Sequence, residues 1–106
     1  MQDAEEFTEE YFAAAAEPGQ ERYLALFADA AVVHDDGHTH RGLAAVRSWR
    51  TDLPPVRYDV REVTGTAAAC QAVAEISGDF AGSPVVLRFL FERDGRGKIV
   101  LLDITV

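Results

Sequence analysis

The spacing of the apolar residues changes at Pro54-Pro55, and that change limits the folds open to this chain. Ahead of the proline pair, Ala4, Phe7, Tyr11, Ala14 and Ala15 recur at helical spacing, as do Tyr23, Leu24 and Phe27, and then Leu43, Val46 and Trp49. Beyond it, Val56, Tyr58 and Val60 alternate with Arg57, Asp59 and Arg61, the pattern of a half-buried strand. Three helices are therefore expected near residues 3–16, 20–28 and 43–52. Asp3 with Glu6 three residues on forms the start signal of the first, and Pro18-Gly19 ends it. In the third, Arg47 and Arg50 fall on a different face from the apolar stripe. Residues 31–35 and 38–41 read as a small hairpin about the two-residue turn Asp36-Gly37. Strands then fit 56–61, 67–77, 85–93 and 98–106, the last two joined by Asp94-Gly95-Arg96-Gly97. The expected fold is α+β, with three helices from the first half packed on one face of a bent, mostly antiparallel sheet.

With 106 residues, 48% hydrophobic and 26% charged, the chain suits one domain spanning 1–106. No apolar run approaches the roughly 20 residues of a membrane span, and the acidic start Gln2-Asp3-Ala4-Glu5-Glu6 is unlike an export signal. One cysteine, Cys70, leaves no internal disulfide, and a cytoplasmic location is expected. Residues 1–36 carry ten acids and one base, Arg22, while the rest is near balance at eight acids and nine bases. Phosphate backbones and anionic lipid surfaces are repelled by such a chain, so neither nucleic acid nor membrane is an expected partner.

All three histidines fall in His34-Asp35-Asp36-Gly37-His38-Thr39-His40. A turn at Asp36-Gly37 sets Asp35 opposite His38 and Val33 opposite His40, with Val33, Asp35, His38 and His40 on one face and His34 and Thr39 on the other. Asp35 beside two histidines suits a general base with a tuning partner, a 2-His-1-carboxylate metal site, or a plain polar hairpin tip. The His-x-His pair lacks a second downstream ligand cluster, so no metal is expected. Tyr11, on the apolar face of the first helix, is a core aromatic or a hydroxyl donor. Cys70, among alanines, reads as a small buried side chain. There is no Gly-rich phosphate loop, no Gly-x-Ser-x-Gly and no Cys-x-x-Cys, and no cofactor is expected.

The segment Phe27-Ala28-Asp29-Ala30-Ala31-Val32-Val33-His34-Asp35-Asp36-Gly37, followed by His40-Arg41-Gly42 and Ala44-Ala45-Val46-Arg47-Ser48-Trp49, resembles the nuclear transport factor 2-like superfamily, near its SnoaL-like (polyketide cyclase-like) branch. The resemblance covers essentially the whole chain. It implies a cone of cystatin-like type whose open end holds an apolar pocket. Ketosteroid isomerase, a more distant relative, carries an oxyanion-hole tyrosine on its first helix and a catalytic aspartate on its first strand. Tyr11 and Asp35 match those positions, while Phe89 falls where the isomerase has a protonated aspartic acid, so one oxyanion donor is missing.

That likeness implies catalysis by Asp35 as base and Tyr11 as donor, with His38 or His40 tuning Asp35. Alternation places Phe89 and Phe91 on one face of their strand and Leu102, Ile104 and Val106 on one face of the next; the likeness turns both faces inward, with Trp49, Tyr58 and Tyr11 closing the pocket. The expected ligand is a small apolar ring-containing molecule. A non-catalytic binding module and a dimerisation module of the same fold are the alternatives. A homodimer is expected through the outer sheet face, to which Asp103 and Thr105 project.

Overall fold

The structure is a computed structural model, and it describes residues 2–106. The first helix, α1 (Ala4–Ala16), starts at a complete capping box: the Glu6 amide donates to Asp3 Oδ1 at 2.8 Å, and the Asp3 amide donates to Glu6 Oε1 at 3.3 Å. Its buried face carries Phe7, Thr8, Tyr11, Phe12, Ala14 and Ala15. Thr8 can be buried there because its hydroxyl donates back to the Ala4 and Glu5 carbonyls.

The second helix, α2 (Glu21–Leu24), is a single turn, shorter than the expected 20–28. Phe27, which continues the helical stripe in sequence, instead opens β1 (Phe27–Asp35). It pairs there with Ile99, and the Ile99 amide donates to the Leu26 carbonyl at 2.8 Å. A parallel pairing with a strand seventy residues away thus overrides the local period. At the far end of β1, Asp36 (φ 51°) and Gly37 (φ 75°) both take positive φ, the geometry of a type I′ turn, and β2 (His38–Arg41) returns. The register is the expected one, Asp35 opposite His38 and Val33 opposite His40. Gly42, at φ 87°, then turns the chain into α3 (Leu43–Thr51), its amide donating to the Ala31 carbonyl of β1.

The four remaining strands, β3 (Val56–Gly65), β4 (Ala69–Gly78), β5 (Val85–Arg93) and β6 (Ile99–Thr105), complete one sheet in the order β2-β1-β6-β5-β4-β3. Every neighbouring pair is antiparallel except β1 with β6. Strand β4 shows the cleanest alternation: Cys70, Ala72, Ala74 and Ile76 are buried, and Gln71, Val73, Glu75 and Ser77 between them are partly exposed. Small residues at three of those four inward positions let α1 approach the concave face. Register shifts interrupt β3 at Val60/Glu62, β5–β6 at Glu92/Arg93 and β1–β6 between Phe27 and Val32, and such irregularities bend a sheet. The outcome is three helices on an open, curved, mostly antiparallel sheet. One terminal expectation fails: Val106 lies past the end of β6 and is 89% exposed, whereas Leu102 and Ile104 do face inward.

Candidate active site

The register lays inward side chains in rows across the sheet. Asp35 pairs with Ile104, Ile104 with Phe89, and Phe89 with Ala72; two residues deeper, Val33, Leu102, Phe91 and Cys70 form the next row. On the other side of the Asp35 row, Leu87, Val85, Ile76 and Tyr58 continue toward the open end. There the helices no longer fill the concavity, and a cavity of about 260 Å³ remains. Its wall takes Tyr11 from α1, Trp49 and Arg50 from α3, Leu53, Pro54 and Val56 from the segment after α3, and Phe80 from the β4–β5 connection. Among the described residues lining it, Asp35 and Arg50 are the two that carry charge.

Asp35 is held by tryptophan rather than by histidine. The Trp49 indole Nε1–H donates to Asp35 Oδ2 at 3.0 Å. No side-chain hydrogen bond among the described residues joins the Asp35 carboxylate to His38 or His40. The exposed His38 ring donates from Nδ1 to the Asp36 carbonyl of its own turn. The His40 ring lies against Trp49, centroids 5.8 Å apart and planes tilted by 31°, so it touches the partner of Asp35. His34 faces the other way and pairs through Nδ1 with Thr39 Oγ1 at 2.9 Å. The two-histidine, one-carboxylate arrangement is not formed, and no three His, Cys, Asp or Glu side chains gather into a metal-holding group among the described residues.

Tyr11 lies deep in the wall, 2% exposed, with its hydroxyl 2.8 Å from that of Tyr23 on α2. Burial drives the Tyr11 phenol well above its ordinary pKa, with the neighbouring Tyr23 and Tyr58 adding to the effect. Burial likewise raises Tyr23, against the opposing pull of Arg50. Both phenols are therefore protonated at any physiological pH and can serve as hydrogen-bond donors, not as bases. The pair holds two hydroxyl protons and uses one between them, which leaves the other for a ligand oxygen.

The period of α3 sets Arg50 off the apolar stripe, yet α1 and α2 fold over it. Its Nη2 donates to the Ala15 carbonyl at 2.9 Å near the end of α1, and its Cζ stands 4.2 Å from the centroid of the Tyr23 ring. Nothing local to α3 signals this, because both partners lie more than twenty residues upstream.

Of the residues expected to line the pocket, Trp49, Tyr58, Phe89 and Ile104 do so. Phe91 and Leu102 instead belong to the deeper row, fully buried, with Phe91 edge-on to Phe7 (5.1 Å) and Tyr11 (4.7 Å). They are packed core, and the cavity begins one row away. Ile76, Val85 and Leu87 line it as well, beyond the expected set, and alternation along β4 and β5 sets them on the same face as Phe89. The Cys70 thiol is pushed up in pKa by burial, partly offset by Arg93, so it is an inert core group.

Residues 8–101 match the SnoaL-like domain family. Among solved structures, a candidate polyketide cyclase from Sinorhizobium meliloti is 30% identical, with a TM-score of 0.84 and 92% of each chain covered. A protein from Sphaerobacter thermophilus is 22% identical over 99% of this chain and 96% of its own, with a TM-score of 0.82. A protein of ketosteroid isomerase-like fold from Catenulispora acidiphila, solved in complex with trimethylamine, is 17% identical over 95% of this chain and 85% of its own, with a TM-score of 0.80. The comparison with curated proteins gives no significant match.

Proposed function

The chain belongs to the SnoaL-like domain family, and on that premise we propose that it is a small-molecule pocket protein in which Asp35 acts as general base on an apolar, ring-containing carbonyl compound. The observation that carries the reading is that Asp35 and Tyr11 line one cavity with otherwise largely apolar walls. Asp35 takes a proton from the carbon next to the carbonyl. The negative charge that develops on the carbonyl oxygen accepts the O–H of Tyr11, and Tyr23 supports that hydroxyl from behind. The Trp49 indole orients the carboxylate, and its ring with those of Tyr58, Phe80 and Phe89 favours a flat apolar ligand. Arg50, the other charged side chain of the wall, favours the anionic state of the oxygen through space.

The same reading includes a homodimer. Val86 and Leu90 stand exposed on the outer face of β5, at 49% and 38%, and a second copy of the chain is the partner that would cover them.

The test is Asp35→Asn, nearly isosteric, assayed against a panel of fused-ring ketones. Ligand affinity stays and turnover falls by about 10²-fold or more. Turnover unchanged in both Asp35→Asn and Tyr11→Phe overturns the catalytic assignment. Binding without turnover in the unaltered protein replaces it with the non-catalytic binding module.

A further inference from the structure

Resting on the pocket reading above, a second compartment adds a demand on the ligand. A groove of about 360 Å³ runs between the α1–α2 connection and the segment after α3, lined by Gln20, Arg50, Thr51, Pro55 and Tyr58 among others. It shares Arg50, Leu53, Pro54, Val56 and Tyr58 with the inner cavity, so the two adjoin along a common wall. Their character differs, since the inner wall is dominated by apolar side chains and the groove is more polar.

Arg50 stands where the two meet, and it lacks a counter-ion: none of the ion pairs among the described residues includes it. A bond to the Ala15 carbonyl, the face of Tyr23 and the nearby Tyr58 hydroxyl are its partners, all of them uncharged, and its Nε is buried without any. A half-buried guanidinium with no anion beside it is costly unless something supplies one. The other buried side-chain polar atom without a partner among the described residues is Gln20 Oε1, which borders the same groove. The Gln20 amide now donates from Nε2 to Thr51 Oγ1. Turning it over would offer Nε2 to an anion at the cost of the bond to Thr51, whose hydroxyl already donates to the Arg47 carbonyl. Glu17 also borders the groove, but its carboxylate is already paired with Arg22.

We infer that the ligand is a ring-containing carboxylic acid, its rings in the inner cavity and its carboxylate in the groove against Arg50. The guanidinium then acts as a specificity-determining group, and the acid end sets which way round the rings enter.

Calorimetric titration of the unaltered protein with naphthylacetate and with the neutral, near-isosteric naphthylacetamide tests this. The acid binds about tenfold tighter or better, as a charge-assisted bond requires. Arg50→Gln removes that preference by weakening the acid about tenfold while the amide changes less than about twofold, and Arg50→Lys retains part of it. Equal affinity for acid and amide in the unaltered protein, or an equal loss for both in Arg50→Gln, overturns the inference and leaves Arg50 as a prop for α1 and Tyr23. Should Arg50→Gln fail to fold, the acid-to-amide ratio of the unaltered protein and of Arg50→Lys still decides. If neither probe binds, the apolar-pocket reading falls and this inference with it; if only the amide binds, the pocket stands and the inference alone falls.

Discussion

The indole N–H of Trp49 donates to the carboxylate of Asp35 across 3.0 Å, tying the third helix to the end of the first strand. The bond fixes the direction in which the carboxylate presents its other oxygen. It also gives a partly buried charge a donor, which a bare apolar wall would not.

Trp49→Phe removes that donor and keeps most of the aromatic surface. Loss of a hydrogen bond to a charged group destabilises the fold by about 1.5–3 kcal/mol, read as a lowered urea midpoint with an unchanged slope. Turnover, if Asp35 is the base, falls as well because the carboxylate is no longer oriented. His40→Ala takes away only a ring lying against the indole, so its effect on both measurements is the smaller. A larger effect for His40→Ala would place the orienting group on the hairpin.

The buried phenol pair makes stability fall in alkali. Tyr11 and Tyr23 are raised by burial above the value of about 10 that they have in the unfolded chain, so the folded state keeps protons that the unfolded state gives up. Their contribution is complete below pH about 10 and is lost above it, at about 1.4 kcal/mol per pH unit for each phenol until the folded pKa is reached. Denaturation series from pH 9 upward, with approximate spacing of half a unit, show this as a steep decline. The Tyr11→Phe/Tyr23→Phe double variant flattens that decline. Tyr11→Phe alone leaves a buried hydroxyl without its partner and is costlier than half the double change, a coupling that a double-mutant cycle reads directly.

Local chemistry in the sequence identified the pieces whose causes are themselves local. The capping box at Asp3 and Glu6, the Asp36-Gly37 turn and the alternation of β5 each depend on neighbours a few residues away, and each stands where expected. The roles of Phe27 and Arg50, and the bond that Trp49 makes from its expected place in the wall, are not signalled locally because their partners are remote: Ile99, Ala15 with Tyr23, and Asp35. Hairpin register placed His38 and His40 on the face of Asp35, but register does not say where a ring turns. The ring of His38 finds its own turn carbonyl, and that of His40 finds Trp49. Alternation likewise puts Phe89 and Phe91 on one face without showing that α1 encloses Phe91 wholly and leaves part of Phe89 to the cavity wall.

A second copy of the chain on the outer sheet face gives a particle of twice 11.6 kDa in sedimentation at micromolar concentration. Val86 and Leu90 project there, with Val73 beside them on β4. Leu90→Glu places a charge in the middle of that surface and converts the dimer to monomer while the helical content stays the same. A monomer in the unaltered protein removes the idea.

Phe89 and Phe91 lie two residues apart on one strand face, and they separate packing from ligand selection. Phe91 is wholly enclosed, edge-on to Phe7 and Tyr11, so Phe91→Ala opens a void that no ligand enters and costs about 3–5 kcal/mol. Ring-size preference in binding should then be unchanged. Phe89 meets Phe12 edge-on at 5.1 Å but also forms part of the cavity wall. Phe89→Ala therefore destabilises too, yet the space it vacates is continuous with the site, and a ligand of one further fused ring gains affinity relative to a two-ring one. Affinities for a two-ring and a three-ring acid, measured on both variants, distinguish the cases. A shift in ring preference for Phe91→Ala, or none for Phe89→Ala, would mean that the ligand sits in the deeper row and that the cavity boundary drawn between these two phenylalanines is misplaced.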